Sequence, residues 1–475
     1  MSVLSGKVTP VDLALDLSDR GDRAGAVYRA LRDAVRDGRL VPGDRLPASR
    51  ALAGDLGISR TTVSTVYERL VAEGFLEARV GAGTFVSDVA AAPPRCAAGA
   101  VRPRAGWRWA PAPVSGESPR PAYDFRVGIP DASLFPFETW RRILAAESRL
   151  GGHSPGSYAG PAGLPRLREA IAHSVAYGRG VRADPDEVVV TSGAQQALDL
   201  VARVLLEPGD VVAVEDPGYD FARDLFASHG ARVVPVRVDA EGIVVDELPP
   251  ETRLVHTTPS HQFPLGVPLS LARRRALLAF AGRHDAAVVE DDYDSEFRFS
   301  ERPLEPLHAL DQSGRVVYVG TFSKSLLPSL RAGYLVAPPS LVDALLAAKQ
   351  LTDGFAPLQP QVALARFLEE GLLARHVRRA AKVYAERRAI LLEALEDLPV
   401  EVVPSAAGLH LAAFAEIPTG LRDRAALEGV AVETIGQHRA GSGRDGLVLG
   451  YGASVTDTIR PGLTRLARVA GWHAS

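Results

Sequence analysis

A chain of 475 residues has room for two or three domains and a substantial core. Its 46% hydrophobic and 23% charged content describes a globular protein, and its formal net charge of −3 excludes a global basic field, so any nucleic-acid signal must be local. The single cysteine, Cys96, excludes an internal disulfide framework; no basic segment precedes an apolar run at the N-terminus and no apolar stretch nears the ~20 residues of a membrane span, so a cytoplasmic protein is expected.

Apolar residues at helical spacing (Val27, Leu31, Ala34, Val35) predict a first helix from Ala24 to Asp37, ended by Gly38. Pro42-Gly43 makes a turn before Leu46-Pro47. A short second helix spans about Ser49 to Leu56 and stops at Gly57. Ser59 is a suitable N-cap for a third helix to about Glu73, with Val63, Val66, Tyr67 and Leu70 inward. Phe75 to Val86 alternates around Gly81-Ala82-Gly83 and predicts a two-strand ribbon. This order is that of a winged helix-turn-helix, whose third helix would present Ser59, Arg60, Thr61, Thr62 and Ser64 to a major groove, with Arg50 placed for a phosphate. Residues 23–86 hold ten Arg against seven acids, a local balance of +3.

The run GRLVPGDRLPASRALAGDLGISRTTVSTVYERLVAEGFLEARVGAGTFV resembles the GntR-type winged helix in its PG-x-x-LP turn, its S-R-T-T-V start and its G-x-G-T-F wing. The resemblance implies operator DNA contacts at Arg50, Ser59, Arg60, Thr61, Thr62 and the wing around Gly81, in a domain ending at residue 86. Residues 87–122 are rich in Ala and Pro without helical or alternating period and read as a semi-extended linker. Arg95, Arg102, Arg104 and Arg108 in it are solvated or add phosphate contacts, Trp107 and Trp109 are candidates to dock on a domain surface, and Cys96 looks incidental.

From residue 123 to 475, short β-branched runs alternate with helical stretches: Val188–Val190, Val211–Val214, Val233–Val236, Leu254–His256, Ala287–Val289 and Val316–Val319. The pattern predicts an α/β domain around a mostly parallel sheet, with ligands beyond the strand C-termini. The polar motifs fall there. Thr191-Ser192-Gly193-Ala194 opens a helix, whose backbone N–H groups and Ser192 hydroxyl would hold an anion. Tyr219 follows the next strand, to stack on a flat heterocycle or simply to pack. Glu290-Asp291-Asp292-Tyr293-Asp294 follows another; a carboxylate there could keep a ring nitrogen protonated, and the tyrosine, on the opposite face or in the next turn, could donate to a phenolic oxygen. No histidine or cysteine stands near these acids in sequence, so no metal site is expected. Lys324, in Thr321-Phe322-Ser323-Lys324, is one of four lysines in a chain whose Lys+Arg total is 54. A lysine where nearly every other cation is Arg suggests a required primary amine, its pKa lowered by burial and by a neighbouring cation such as Arg331, itself a candidate phosphate clamp.

These four sites in this order resemble the fold-type I pyridoxal-phosphate aminotransferases from about residue 123 to the end. The resemblance implies pyridoxal 5′-phosphate held as an aldimine on Lys324, with Asp291 at the pyridine nitrogen, Tyr293 at the 3′-oxygen and Tyr219 stacked on the ring. Ser192, Gly193, Ala194, Thr321, Ser323 and Arg331 would surround the phosphate. It implies a large domain at about 150–355 and a small one from the flanking N-terminal segment and about 356–475. Tyr158 matches a tyrosine reaching the neighbouring subunit's phosphate, which implies a homodimer. A winged helix tethered to such a domain is the layout of the MocR subfamily, and TTPSHQFPLG and EDDYDSEFRF are similar to it. Two departures from the free enzymes stand out: Phe263-Pro264-Leu265-Gly266 replaces Asn-Pro-x-Gly, and Val448 replaces the substrate-carboxylate Arg, with His438 or Arg439 as candidate substitutes. The expectation is therefore a regulator, not an enzyme, that senses pyridoxal phosphate as in the PdxR-like branch. The alternatives are an amino acid sensed by transaldimination, or a working aminotransferase.

Overall fold

A computed structural model of the chain describes residues 22–88, 102–104, 107–109, 121–147, 158–299, 305–405 and 407–472. The chain divides into two compact units at residue 107. Cys96, Arg95 and most of the Ala/Pro-rich stretch lie outside the described residues.

The N-terminal unit holds α1 (Arg23–Arg36), α2 (Ser49–Leu56), α3 (Arg60–Ala72), β1 (Leu76–Arg79) and β2 (Gly83–Val86). Asp22 caps α1 by accepting from Gly25 N at 2.9 Å, and Gly57 ends α2 in the left-handed region at φ 62°, a conformation that favours glycine. Leu31, Val63, Val66, Leu70 and Val86 share one core. The strands pair antiparallel from Leu76↔Val86 to Arg79↔Gly83. The Pro-Gly turn is bonded to this ribbon, through Gly43 N to Val86 O and Leu46 N to Thr84 O, both at 2.9 Å, and to α3 through Tyr67 OH to Pro47 O at 2.9 Å. The turn thus fixes the wing relative to the third helix.

The C-terminal unit runs β3 (Tyr123–Asp124), α4 (Phe137–Glu147), α5 (Pro165–Arg179), β4 (Val188–Thr191), α6 (Ala194–Leu205), β5 (Val211–Asp216), α7 (Asp220–Ser228), β6 (Arg232–Asp239), β7 (Gly242–Ile243), β8 (Thr252–Thr257), α8 (Leu271–His284), β9 (Ala287–Asp292), α9 (Leu307–Leu310), β10 (Val316–Thr321) and β11 (Gly333–Val336). It continues with α10 (Pro339–Thr352), α11 (Leu358–Glu369), α12 (Leu372–Leu395), β12 (Glu401–Val402), β13 (His410–Phe414), α13 (Leu421–Leu427), β14 (Val430–Ala431), β15 (Glu433–Thr434), β16 (Gly446–Gly450) and α14 (Ile459–Ala470). Eight strands form one sheet in the order β4-β11-β10-β9-β8-β5-β6-β7. Six are parallel; β11 and β7 run against their neighbours. Alternate residues of each strand enter opposite cores, Val188 and Val190 under α4, α5 and α11, and Val189, Val317 and Val319 under α6 and α10, as a strand buried on both faces requires. A second sheet, β12-β13-β16-β15, packs with α12 and α14.

The C-terminal ends of the parallel strands bring Thr191, Asp216, Thr257, Asp292 and Thr321 to one edge. The acid motif is not a post-strand loop. β9 runs on to Asp292, so Glu290 and Asp291 are strand residues on opposite faces. Leu70 is 1% exposed at the centre of the winged-helix core. Leu70→Ala is expected to lower the stability of the N-terminal unit by about 2–5 kcal/mol, read as a shifted urea midpoint of that unit with the C-terminal transition unchanged.

Candidate functional site

A cavity of about 720 Å³ opens at this sheet edge, within the ~300–1,000 Å³ usual for ligand sites. Lys324, just past β10, lines it, and its Nζ donates to Gly128 O at 2.8 Å. Gly128 has φ 73°, and an added Cβ would stand 2.6 Å from that Nζ. Burial lowers the Lys324 pKa against the opposing pull of the Asp294, Asp291 and Glu433 carboxylates. Of the two expected causes burial holds, and the neighbouring cation does not contribute.

Asp291 is 4% exposed. Its Oδ1 has no hydrogen-bond partner among the described residues, and its Oδ2 lies 3.5 Å from His256 Nε2, which has none either. His256, on the adjacent strand β8, escaped sequence reasoning, although a histidine inside the apolar run Leu254-Val255-His256 was its signal. On the opposite face of β9, Glu290 accepts from Leu307 N at 3.0 Å and His308 N at 2.9 Å, and Asp292 accepts from Tyr318 OH at 2.5 Å and pairs with Arg179 at 2.6 Å. Strand alternation thus separates structural acids from the one that faces the cavity. Tyr293 stands in the turn just past β9, the second of the two expected placements, where it lines the cavity with Asp291, and its hydroxyl donates to His261 O at 2.9 Å.

Tyr219 lines the cavity from the start of α7, its hydroxyl 3.4 Å from Gln195 Oε1. Arg331 sits in the left-handed region at φ 46°. Its guanidinium lies over Gly193, where an added Cβ would be 3.4 Å from Nη1, and it has no side-chain hydrogen bond or ion pair among the described residues. Thr321 Oγ1 donates to Ser323 Oγ at 3.0 Å, and both residues join the lining with Ala194 and Gln195. Ser192 does not line the cavity, and its N–H is taken by Gln196 Oε1 at 2.8 Å, so that amide is not free for an anion. Tyr158 lies outside its own chain's cavity, 94% exposed, with its ring edge-on to Phe355 at 6.2 Å.

Glu433, Gln437 and His438 also line the cavity. His438 Nε2 is 3.2 Å from Glu433 Oε2, and Nδ1 is 3.7 Å from Asp220 Oδ1 and has no hydrogen-bond partner among the described residues. Burial alone would lower its pKa; the two carboxylates outweigh that and raise it to about 8. Arg439 instead donates to Arg444 O at 2.9 Å and is not part of the lining. Val448 is fully buried among Leu265, Val267, Ala412 and Ile435, so β16 sends no cation into the cavity.

Histidines do stand near the acid motif, brought there by tertiary structure. The ligand atoms of His261, Asp294 and His410 lie within 4.8 Å of one another, all buried. Hydrogen bonds occupy most of them: His261 Nδ1 is 3.1 Å from Asp294 Oδ1, Leu409 N donates to Asp294 Oδ2 at 3.2 Å, and His410 Nε2 donates to Pro264 O at 3.0 Å.

In the winged helix, Arg50, Arg60 and Thr61 are exposed at the starts of α2 and α3, and Gly81 is at the wing tip with φ 74°. Neither Arg50 nor Arg60 has an ion-pair partner among the described residues. Ser59 caps α3, accepting from Thr62 N at 3.0 Å and bonding Thr62 Oγ1 at 2.8 Å, so these two hydroxyls are tied to each other. Ser64 is half-buried in the second turn of α3.

Comparison with known proteins accords with both units. A model of bacterial regulatory proteins of the gntR family matches residues 23–86, and one of class I and II aminotransferases matches residues 130–416. The chain is 42% identical over 377 residues (77% of this chain, 76% of that protein) to the probable rhizopine catabolism regulatory protein MocR of Rhizobium meliloti. It is 34% identical over 434 residues (90% and 92%) to the pyridoxine biosynthesis transcriptional regulator PdxR of Corynebacterium glutamicum. The crystal structure of Pyrococcus horikoshii kynurenine aminotransferase matches with a TM-score of 0.68 at 32% identity, over 75% of this chain and 92% of that chain. A winged helix and an aminotransferase fold on one polypeptide define a transcriptional regulator built on an enzyme scaffold. The chain belongs to the MocR subfamily of GntR-type regulators.

Two measurements check this geometry. Arg60→Ala is expected to weaken operator binding by about 1–3 kcal/mol and relax sequence preference, whereas Arg50→Ala weakens all sequences alike and reduces the salt slope by about one; titrations at several salt concentrations separate them. The His438 pKa of about 8, above the unfolded 6.5, means its stabilisation is complete below pH 6.5 and lost as pH rises through about 8. It is worth about 2 kcal/mol, and His438→Gln is expected to remove that part of the pH dependence of thermal unfolding.

Proposed function

We propose that this regulator holds pyridoxal phosphate on Lys324 and alters its DNA binding with that occupancy, so that vitamin B6 status is the signal. One observation carries the reading. A half-buried lysine amine, a buried carboxylate oxygen without a partner on Asp291 and an unpaired guanidinium on Arg331 line the same cavity. That set fits the cofactor. Arg331 would bind the phosphate with Thr321, Ser323 and Ala194, while Ser192 and Gly193 back this end. Asp291, steadied by His256, would keep the ring nitrogen protonated; Tyr219 would cover the ring and Tyr293 would donate to its 3′-oxygen.

Bound pyridoxal phosphate supplies an aldehyde that a primary amine can capture. Lys324 offers that amine, with a larger uncharged fraction because burial lowers its pKa. Gly128 O orients the nitrogen. Tyr158, exposed on its own chain, would complete a second subunit's site in a homodimer. The Corynebacterium glutamicum relative, named for pyridoxine biosynthesis, supports B6 as the signal.

An amino-acid effector, or aminotransferase turnover, is the second reading, which the aminotransferase neighbours favour. It requires a grip for the substrate carboxylate, and buried Val448 supplies none.

Adding pyridoxal phosphate to the cofactor-free protein is expected to produce a visible absorption band and to change operator affinity by roughly 5- to 150-fold. Lys324→Ala is expected to abolish both. A band retained in Lys324→Ala refutes the lysine's role, and keto acid released on adding an amino acid establishes the second reading.

A further inference from the structure

We propose that His261 and Asp294 are positioning residues for the cofactor's 3′-oxygen. The Asp294 carboxylate fixes which nitrogen of His261 carries the proton, and that choice decides where Tyr293 sends its single hydroxyl proton. This rests on the preceding reading, in which the cavity takes pyridoxal phosphate and Tyr293 meets its 3′-oxygen. The sequence puts more weight on that hydroxyl. Phe263 lines the cavity in the place of the asparagine of the aminotransferase pattern, and a phenyl ring has no donor to offer.

Two atoms of His261 compete with the cavity for the Tyr293 hydroxyl. The carbonyl oxygen is 2.9 Å away and the ring Nδ1 is 3.1 Å away. The same Nδ1 lies 3.1 and 3.2 Å from the two Asp294 carboxylate oxygens. His261 and Asp294 are each 2% exposed. Leu409 N donates to Asp294 Oδ2 at 3.2 Å. Gly408, at φ 85°, packs so close that an added Cβ would stand 1.9 Å from His261 Cε1. The ring is thus held between an anchored carboxylate and a glycine backbone.

A neutral imidazole has one N–H, and its other nitrogen accepts. An ionised carboxylate only accepts, so Asp294 places the His261 proton on Nδ1. The lone pair then sits on Nε2, which is buried and has no hydrogen-bond partner among the described residues. A protonated Nδ1 cannot take the tyrosine proton. It shares its N–H with the phenol oxygen, and a hydroxyl that accepts one hydrogen bond donates a stronger one. The reverse tautomer would turn an Nδ1 lone pair on the tyrosine proton and draw it from the cavity. The remaining competitor is the His261 carbonyl, a neutral acceptor. An anionic 3′-oxygen outcompetes it, because charge-assisted bonds are roughly twice as strong. Burial, with Asp294, Asp291, Glu215 and Asp292 adding to it, holds the Tyr293 pKa well above its ordinary value, so the hydroxyl keeps its proton. His410, its ring centroid 4.6 Å from that of His261, adds no charge, because burial lowers its pKa to about 3.

The test uses full-length protein loaded with pyridoxal phosphate and reads the pH at which the visible band is half converted. A donor at the 3′-oxygen stabilises its negative charge and so lowers that midpoint. Asp294→Asn, whose oxygen can serve Leu409 N while its amide donates to Nδ1, reverses the tautomer; His261→Leu removes the ring. Each is made with Tyr293 in place and again with Tyr293→Phe, so that effects not passing through the hydroxyl cancel. The shift with Tyr293 is expected to lie above the shift with Tyr293→Phe by roughly 0.4–1 pH unit, the size of one lost neutral hydrogen bond. His261→Asn, whose side-chain amide reproduces the Nδ1 donor, is expected to bring that difference close to zero. Equal shifts in the two backgrounds, a difference of opposite sign, or a difference in His261→Asn as large as in His261→Leu overturns this inference and leaves the preceding reading intact. Failure of the unsubstituted protein to form the visible band with pyridoxal phosphate overturns both.

Discussion

An ammonium group taken out of water loses hydration that a protein interior rarely restores. The C-terminal unit does this to Lys324 with one hydrogen bond, to a glycine carbonyl, and with carboxylates around it rather than against it. The result is a half-buried amine at the C-terminal edge of a parallel sheet, in the same cavity as Asp291, Tyr293 and Arg331. The sheet contributes the geometry. Its parallel strands end along one edge, and the turns beyond them deliver Ala194, Tyr219, Tyr293 and Lys324 to the same space.

The two-residue period of a strand also settles which acids belong to that space. Glu290 and Asp292 are consumed by backbone amides, a tyrosine and an arginine on one face of β9. Asp291, between them, has an unpartnered oxygen on the other face. A carboxylate left in that condition is costly unless a ligand completes it, a cost that its more heavily bonded neighbours do not carry.

Much of this was legible beforehand. The winged helix was readable almost to the residue because its signals are local: Gly38 and Gly57 as stops, Ser59 as a cap, and glycines at the wing. The valine-rich strands and the Ser-Lys turn were readable for the same reason. What escaped depended on contacts between residues far apart in the chain. His256 reaches Asp291 across two strands, and His261 and His410, 149 positions apart by their numbers, meet at Asp294. Burial as a cause of the Lys324 shift was expected, but the added cationic neighbour was not found, because which charges face a side chain is set by tertiary structure. Strand β11 passed unnoticed because Gly333–Val336 is short and runs against the parallel pattern around it.

The bond between Lys324 and Gly128 also gives that glycine a mechanical role. Gly128 lies four residues past the two-residue strand β3, which is held by its pairing with β14, by Ser454 Oγ donating to Asp124 O and by the packing of Tyr123 on the core. Any molecule that takes the lysine nitrogen for itself withdraws the donor from the Gly128 carbonyl. That carbonyl is then left to find another donor, on a segment whose neighbours Val127 and Phe125 are bonded to Glu433 and Gly450.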